Sequence, residues 1–135
     1  RRGEFATITA GVSYSGGQVL PGNLALTGDH KMIAKRLLAD HNVNRLAAFQ
    51  SEALAAYFPK PYDSMCESLD VLHEHDPSLK PNFKTSAYPT ITFNLGPRTV
   101  CNPHRNYSNY PSITCAITAL GTFDPAEGGE LVLYD

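Results

Sequence analysis

Cysteine and long apolar runs are both scarce in this sequence. Three cysteines, Cys66, Cys101 and Cys115, stand far apart among 135 residues, a pattern that matches neither a zinc-finger spacing nor a disulfide framework. A reducing, intracellular setting is therefore the simpler interpretation. No apolar run approaches the roughly 20 residues of a membrane span. Polar, Thr-rich sequence follows Arg1 and Arg2, where a signal peptide would be apolar. The sequence thus predicts a protein with no membrane segment.

Charged residues are also few. Charged residues make up 18% of the chain and the formal net charge is −2, which excludes a basic tail or a strong overall nucleic-acid footprint but not a local patch. The hydrophobic fraction of 42% is typical of a globular chain, and the length suffices for one domain with a modest core. Because the sequence lacks an initiator Met and stops at Tyr134 and Asp135 in a strand-like run, we expect a fragment of a longer protein.

The first half of the chain changes from an extended to a helical pattern. Residues 5–14 are expected to be extended, and residues 21–23 have the composition of a loop. Asp29 is predicted to cap a first helix, a second helix is expected over residues 44–58, and a third over residues 62–73. The second helix is expected to place Leu46, Gln50, Ala53, Leu54 and Tyr57 on one face.

From residue 88 onward the period of the pattern becomes two. Ile91, Phe93 and Leu95 share one face of residues 90–95, with Asn94 on the other. Residues 112–120 and 130–134 alternate in the same way, which places Cys115 on a buried face.

This order of segments predicts an α+β fold, with helices packed on one side of an antiparallel sheet. The single domain is expected to contain a strand and loop region (1–28), a helical layer (29–81) and a strand region (85–135).

The residues with the most chemical potential lie in the segment from 101 to 134. A non-haem Fe(II) site uses two His and one carboxylate, and the first His and the carboxylate can come from one extended segment at a spacing of two. His104 and Asn106 have this spacing, and the later run Gly128-Gly129-Glu130-Leu131 would turn the chain into a further strand. Asn106 brings a neutral amide where the site needs a carboxylate, so we expect weakened metal affinity.

Residues 73–76, with the sequence HEHD, form a second cluster of potential metal ligands. A structural role is the stronger interpretation, because His73 falls on the apolar face of the third helix while Glu74 and Asp76 belong to its solvated end. A histidine near a helix C-terminus is also favourable to the helix dipole.

Several segments together resemble a family. GVSYSGGQ with PGNL, FPKPYD with HDPSL, TFNLGPRTV, PHRN and CAITALGTFDPAEGGELVLYD are similar to a large group of proteins from mushroom-forming fungi. Those proteins resemble the TET/JBP-type 2-oxoglutarate and Fe(II)-dependent oxygenases. The resemblance covers residues 11–135, and CAITALG and the GG-x-LVL corner are its most specific parts.

The resemblance implies a double-stranded β-helix, or jelly roll, preceded by helices and incomplete at the C-terminus of this chain. It implies Fe(II) and 2-oxoglutarate as cofactors, with His104 as the proximal ligand and Asn106 at the carboxylate position. The family's distal His, and the basic residue that pairs with 2-oxoglutarate, are expected beyond the end of the chain. Asn94, on the polar face of its strand, is a candidate contact to the oxo-acid. No catalytic side chain is predicted beyond the metal ligands.

The expected function is a partial, degenerate copy of an oxygenase domain. The resemblance implies that the ancestral activity is oxidative hydroxylation and that its substrates are methylated nucleobases. It also implies nucleic acid as a partner and an intracellular, nuclear location. The alternative is a non-catalytic binding or structural module that retains the fold without the metal. A half-built jelly roll would leave a strand edge and an apolar face exposed, so self-association of the chain is also expected.

Overall fold

The computed structural model describes residues 3–14, 18–96, 99–102, 113–122 and 124–128. Its regular elements, in chain order, are β1 (Ala6–Ser13), β2 (Gly22–Asn23), α1 (Gly28–Ala39), α2 (His41–Tyr57), α3 (Pro59–His75) and β3 (Thr90–Leu95), and Pro125–Glu127 forms a short 3-10 turn. All three helices lie between β2 and β3 in the chain, which confirms the predicted α+β class. No helix in the described ranges is long and apolar enough to cross a membrane.

The three strands form one antiparallel sheet in the order β2-β1-β3. β1 pairs with β3 from Ala6 opposite Leu95 to Gly11 opposite Thr90. Across this pair the hydroxyl oxygens of Thr9 and Thr92 lie 3.1 Å apart in a side-chain hydrogen bond. The two segments predicted to be extended, residues 5–14 and 90–95, are therefore paired with each other in the sheet.

The sheet has one buried and one polar face, because successive side chains of a strand point to opposite sides. Ile8, Ala10 and Val12 are buried on the first face, and α1 packs against β1. On the second face the register places Thr7 opposite Asn94 and Thr9 opposite Thr92. Val12, on the apolar face, lines two cavities that residues of α3 also line.

The helix boundaries show how local hydrogen bonds decide where a helix begins. The Asp40 carboxylate accepts hydrogen bonds from the backbone N–H of Asn42 (2.8 Å) and Val43 (3.1 Å), so α2 begins at His41, three residues before the predicted start. α1 begins at Gly28 after Thr27, which makes no side-chain cap, and Asp29 lies inside the first turn. The prediction of Asp29 as N-cap is therefore wrong.

The main core joins α2, α3 and the segment that leads into β3. Leu54, Met65 and Ala87 form its buried cluster. Beside them Ser51, only 1% exposed, accepts a hydrogen bond from the Ala87 N–H at 2.7 Å. This buried bond ties residue 87, which no helix or strand contains, to the middle of α2.

Gly11 sits at the most crowded point of the sheet. Its φ of +114° is one that side-chain-bearing residues rarely adopt, and a Cβ there would collide with the Pro89 carbonyl oxygen and the Asn82 side-chain amide. The Gly11 carbonyl also accepts a hydrogen bond from the Leu24 N–H at 2.8 Å, which continues the pairing with β2. A glycine is thus required where β2 and β3 both meet β1.

The strand predicted over residues 112–120 is not present where the structure describes it. Residues 113–120 have no helix or strand, Cys115 is exposed and Ile117 is 75% exposed. The Gln50 side-chain amide donates a 2.7 Å hydrogen bond to the Thr118 hydroxyl, which holds the segment near α2. The prediction of a buried Cys115 is wrong, and residues 130–134 lie outside the described residues.

Candidate functional site

The two predicted metal ligands, His104 and Asn106, lie outside the described residues. Asn94 is described: it belongs to β3, is exposed, and lies on the polar face of the sheet opposite Thr7. Over the part of the chain that the structure describes, no group of three His, Cys, Asp or Glu side chains could hold a metal ion.

The available donors fit a tightly bound Fe(II) poorly. The site needs two imidazoles and a carboxylate, and the residues at the motif positions supply one imidazole and one neutral amide. A neutral ligand leaves more of the charge of Fe(II) uncompensated than a carboxylate does. The chemistry of the donor set therefore favours weak metal binding.

The segment that precedes His104 in sequence is anchored to the beginning of β1. The Gly3 N–H donates a 3.1 Å hydrogen bond to the Val100 carbonyl, and a Cβ on Gly3 would collide with that oxygen. This bond holds residues 99–102 near the N-terminal end of β1, the end that pairs with Asn94 and Leu95 of β3.

A polar cleft of about 360 Å³ lies between α3 and the segment 81–89. One stripe of α3 contributes Tyr62, Cys66, Leu69, Asp70 and His73, which recur at intervals of three and four residues and so face the same side of the helix. Glu52 of α2 and Lys84 of the facing segment complete the charged groups at this cleft that the structure describes.

The Tyr62 hydroxyl and the Cys66 thiol lie together in this polar cleft. A hydrogen bond to the Cys66 thiol is the largest cause that raises the pKa of Tyr62, followed by the charge of the Cys66 thiolate form and by burial. The carboxylates of Glu52 and Asp63 make the smallest contributions, in the same direction. Loss of the Tyr62 proton is therefore disfavoured.

His73 lies nearly two turns along α3 from Cys66, in the same polar cleft. Its Nε2 atom is buried and has no hydrogen-bond partner among the described residues. A buried polar atom left without a partner costs about 1 to 3 kcal/mol, so a ligand or water that supplies the bond would be favoured.

A second cavity of about 200 Å³ lies on the other side of Leu69 and is lined almost wholly by apolar groups. Met65, Leu72 and Ile113 are among its walls, together with Val12 and Tyr14 at the end of β1. Among its described lining residues no side chain is charged, and the hydroxyl groups belong to Ser13, Tyr14 and Ser68.

The sequence predicts α3 as a helix with His73 on its apolar face, in a structural role, but does not predict the polar cleft. The opposite wall was missed because residues 81–89 follow no period of two or 3.6. The pair of prolines at 81 and 89, which frame this wall, was the one local signal of an ordered loop.

The chain was compared with families, curated proteins and solved structures. No family model matches it, and neither a curated protein nor a solved structure does so.

Proposed function

We propose that this chain is a domain of the 2-oxoglutarate and Fe(II)-dependent oxygenase type that has lost most of its oxidative activity. The resemblance of its segments to that family is the starting point. The described α+β arrangement, with three helices in the chain between the two main strands of an antiparallel sheet, is compatible with a helical layer on one side of a jelly roll.

The polar face of the sheet is the observation that carries this proposal. A jelly roll consists of two sheets, so one face of the first sheet must meet the second. The buried face of β1 packs towards the helices, and the opposite face presents Thr9, Thr92 and Asn94. Hydroxyl and amide groups on that face suit contact with an oxo-acid, and Asn94 is exposed there.

The Asn106 amide is the proposed reason for lost activity. His104 would bind the metal as the proximal ligand, and the metal, when bound, would supply the activation of O2. The proposed ancestral substrate is a methylated nucleobase in nucleic acid, which follows from the resemblance alone, since a net charge of −2 adds nothing to it.

Titration with Mn(II), a redox-stable substitute for Fe(II), tests this proposal by calorimetry. Asn106→Asp should tighten Mn(II) binding by about tenfold or more, because a carboxylate replaces a neutral ligand. Asn102→Asp places the same charge in the same segment and is the matched control. His104→Ala should abolish the gain. Equal affinities for Asn106→Asp and Asn102→Asp would rule out a ligand role for residue 106.

A second candidate function is a binding module that works without metal. The polar cleft favours it, because this concave site brings charged, aromatic and imidazole side chains together without His104. If Asn106→Asp brings no Mn(II) binding while a small molecule binds the polar cleft, this second function is preferred.

We also propose that the chain self-associates. Ile117 is 75% exposed and Leu120 is 71% exposed in a segment that contributes no strand. Sedimentation at increasing concentration should show growing oligomers, and the double substitution Ile117→Ser and Leu120→Ser should reduce them. A concentration-independent monomer with a sharp, cooperative thermal transition would contradict this proposal.

A further inference from the structure

The polar cleft combines three features that select for one kind of ligand. It has aromatic walls over an apolar floor, carboxylates in excess over the one lysine among its described lining residues, and an imidazole nitrogen without a partner among them. We propose that the polar cleft binds a small organic cation, an amine that carries an aromatic or apolar body.

The floor and walls of the polar cleft suit the apolar body. Val12, Phe83 and Ala87 are buried beneath it, and the half-buried rings of Tyr62 and Tyr88 line it. Its volume of about 360 Å³ lies in the range of small-molecule sites. The stripe from Tyr62 to His73 spans about 16 Å along α3, so the site suits an elongated molecule.

The charges favour a cation over an anion. Glu52 and Asp70 line the polar cleft, and α3 as a whole carries four carboxylates, Asp63, Glu67, Asp70 and Glu74, against one lysine, Lys60. The Cys66 thiol is the largest cause that raises the pKa of Tyr62, and the charges of Glu52 and Asp63 add to it in the same direction. An ammonium group is stabilised both by carboxylates and by the face of a tyrosine ring.

His73 gives the ligand a second point of attachment. Asp70 and His73 are one helical turn apart and line the same cleft. The Nε2 atom of His73 is buried and lacks a partner among the described residues, so a small rotation of the ring would be needed to bring it into contact with a hydroxyl or amine on the ligand body. A ligand with a polar group at each end would then be held at both ends of the polar cleft.

This inference rests on the second candidate function, the binding module, and names its ligand class. The proposed ligand site contains neither His104 nor Asn106, so the Mn(II) titration and the ligand-binding measurement can fail independently.

The test uses three probes that share a phenol ring and differ in charge: tyramine as the amine, 3-(4-hydroxyphenyl)propionate as the anion and 4-ethylphenol as the neutral analogue. Binding to the full chain is followed by amide chemical shifts in ¹⁵N spectra. Tyramine should shift residues of α3 and of the segment 81–89, and it should bind about tenfold more tightly than the propionate.

Substitutions at the carboxylates assign the preference to the polar cleft. Glu52→Gln and Asp70→Asn should each weaken tyramine binding about threefold, and the double variant about tenfold. Both side chains are exposed, so the fold should persist, which circular dichroism checks. Asp29→Asn, on the exposed surface of α1 and outside the cleft lining, is the control and should leave the affinity unchanged.

Each other outcome overturns the proposal in a recognisable way. Equal or tighter binding of the propionate in the polar cleft would overturn the cation preference and leave the binding module standing. Tyramine binding that the double variant does not weaken would show that the amine binds elsewhere. If none of the three probes shifts residues of the polar cleft, both the ligand class and the binding module lose their support.

Discussion

Replacement of Gly11 by alanine should destabilise the protein more than any change at its exposed glycines. Gly11 has a φ of +114° and stands at the junction of the three strands. The added methyl group would collide with the Pro89 carbonyl oxygen, which is backbone and cannot rotate away, and would lie 3.0 Å from the Thr90 Cα. The neighbouring strand must therefore move.

The size of the effect follows from three contributions. An unfavourable backbone conformation in a residue other than glycine costs about 1 to 3 kcal/mol. Movement of Pro89 also breaks its 3.0 Å hydrogen bond from the Val12 N–H, which adds about 1 kcal/mol. Alanine restricts the unfolded chain and returns about 0.4 to 1 kcal/mol. The free energy of unfolding should fall by about 1 to 3.6 kcal/mol.

Urea denaturation followed by far-UV circular dichroism measures this loss. With a slope of about 2 kcal/mol per molar urea, the midpoint should fall by about 0.5 to 1.8 M. Gly121→Ala is the matched control, because Gly121 has a similar φ of +103° but no neighbouring atom within 4 Å of the position that the alanine methyl group would take. If Gly11→Ala costs no more than Gly121→Ala, the crowding at Pro89 does not constrain this position.

Three further predictions concern single hydrogen-bonding side chains. Ser51→Ala leaves a buried N–H without its acceptor and should lower the free energy of unfolding by about 1 to 3 kcal/mol in urea denaturation. Asp40→Ala removes the cap of α2 and should cost about 1 kcal/mol in the same assay. The Asp76 carboxylate accepts bonds from the Ser78 hydroxyl (2.6 Å) and N–H (3.0 Å), which lower the pKa of Asp76 below its usual 3.8. The stabilising effect of the Asp76 carboxylate is therefore complete above pH 3.8 and is lost as the pH falls through the lowered pKa. An NMR titration of Asp76 should show a midpoint below 3.8, and Ser78→Ala should raise that midpoint.

Each of these predictions has a control. Ser68→Ala removes an exposed hydroxyl that bonds within α3 and should change stability by no more than about 0.5 kcal/mol. Asp40→Asn keeps an acceptor at the cap and should lose less than Asp40→Ala. An Asp76 midpoint that Ser78→Ala does not move, or a Ser51→Ala loss as small as that of Ser68→Ala, would contradict the assigned hydrogen bonds.

The local patterns predicted most of the regular elements, and long-range contacts account for what they missed. β1, β3 and α3 have strong periods, so their existence and type were predicted correctly. β2 was expected to be a loop, because it is only two residues long and its pairing depends on β1. The buried face of α2 contains Ala47 and Ser51, whereas the face predicted from the sequence includes Tyr57, which is 79% exposed. Ser51 is buried because a partner 36 residues away satisfies its hydroxyl.

The candidate sites also differ in how far the sequence predicts them. The spacing of His104 and Asn106 is readable from sequence, and its role as an iron site stays a prediction. Asn94 was placed on the polar face of its strand, which the register with Thr7 confirms. The polar cleft was not predicted, because it forms only when the aperiodic segment 81–89 packs across α3.

The pairing of β1 with β3 bears on the order in which the chain is expected to fold. Thr9 and Thr92, whose hydroxyls meet across the sheet, are 83 positions apart, and closing a flexible loop of that length costs about 4 kcal/mol in chain entropy. The three helices occupy most of the intervening chain and depend on local contacts, which form fastest. Once α2 and α3 have packed, the Ser51 bond to Ala87 would hold residue 87 within three positions of β3. We therefore expect the sheet to close last, after the packed helices have shortened the distance between its strands.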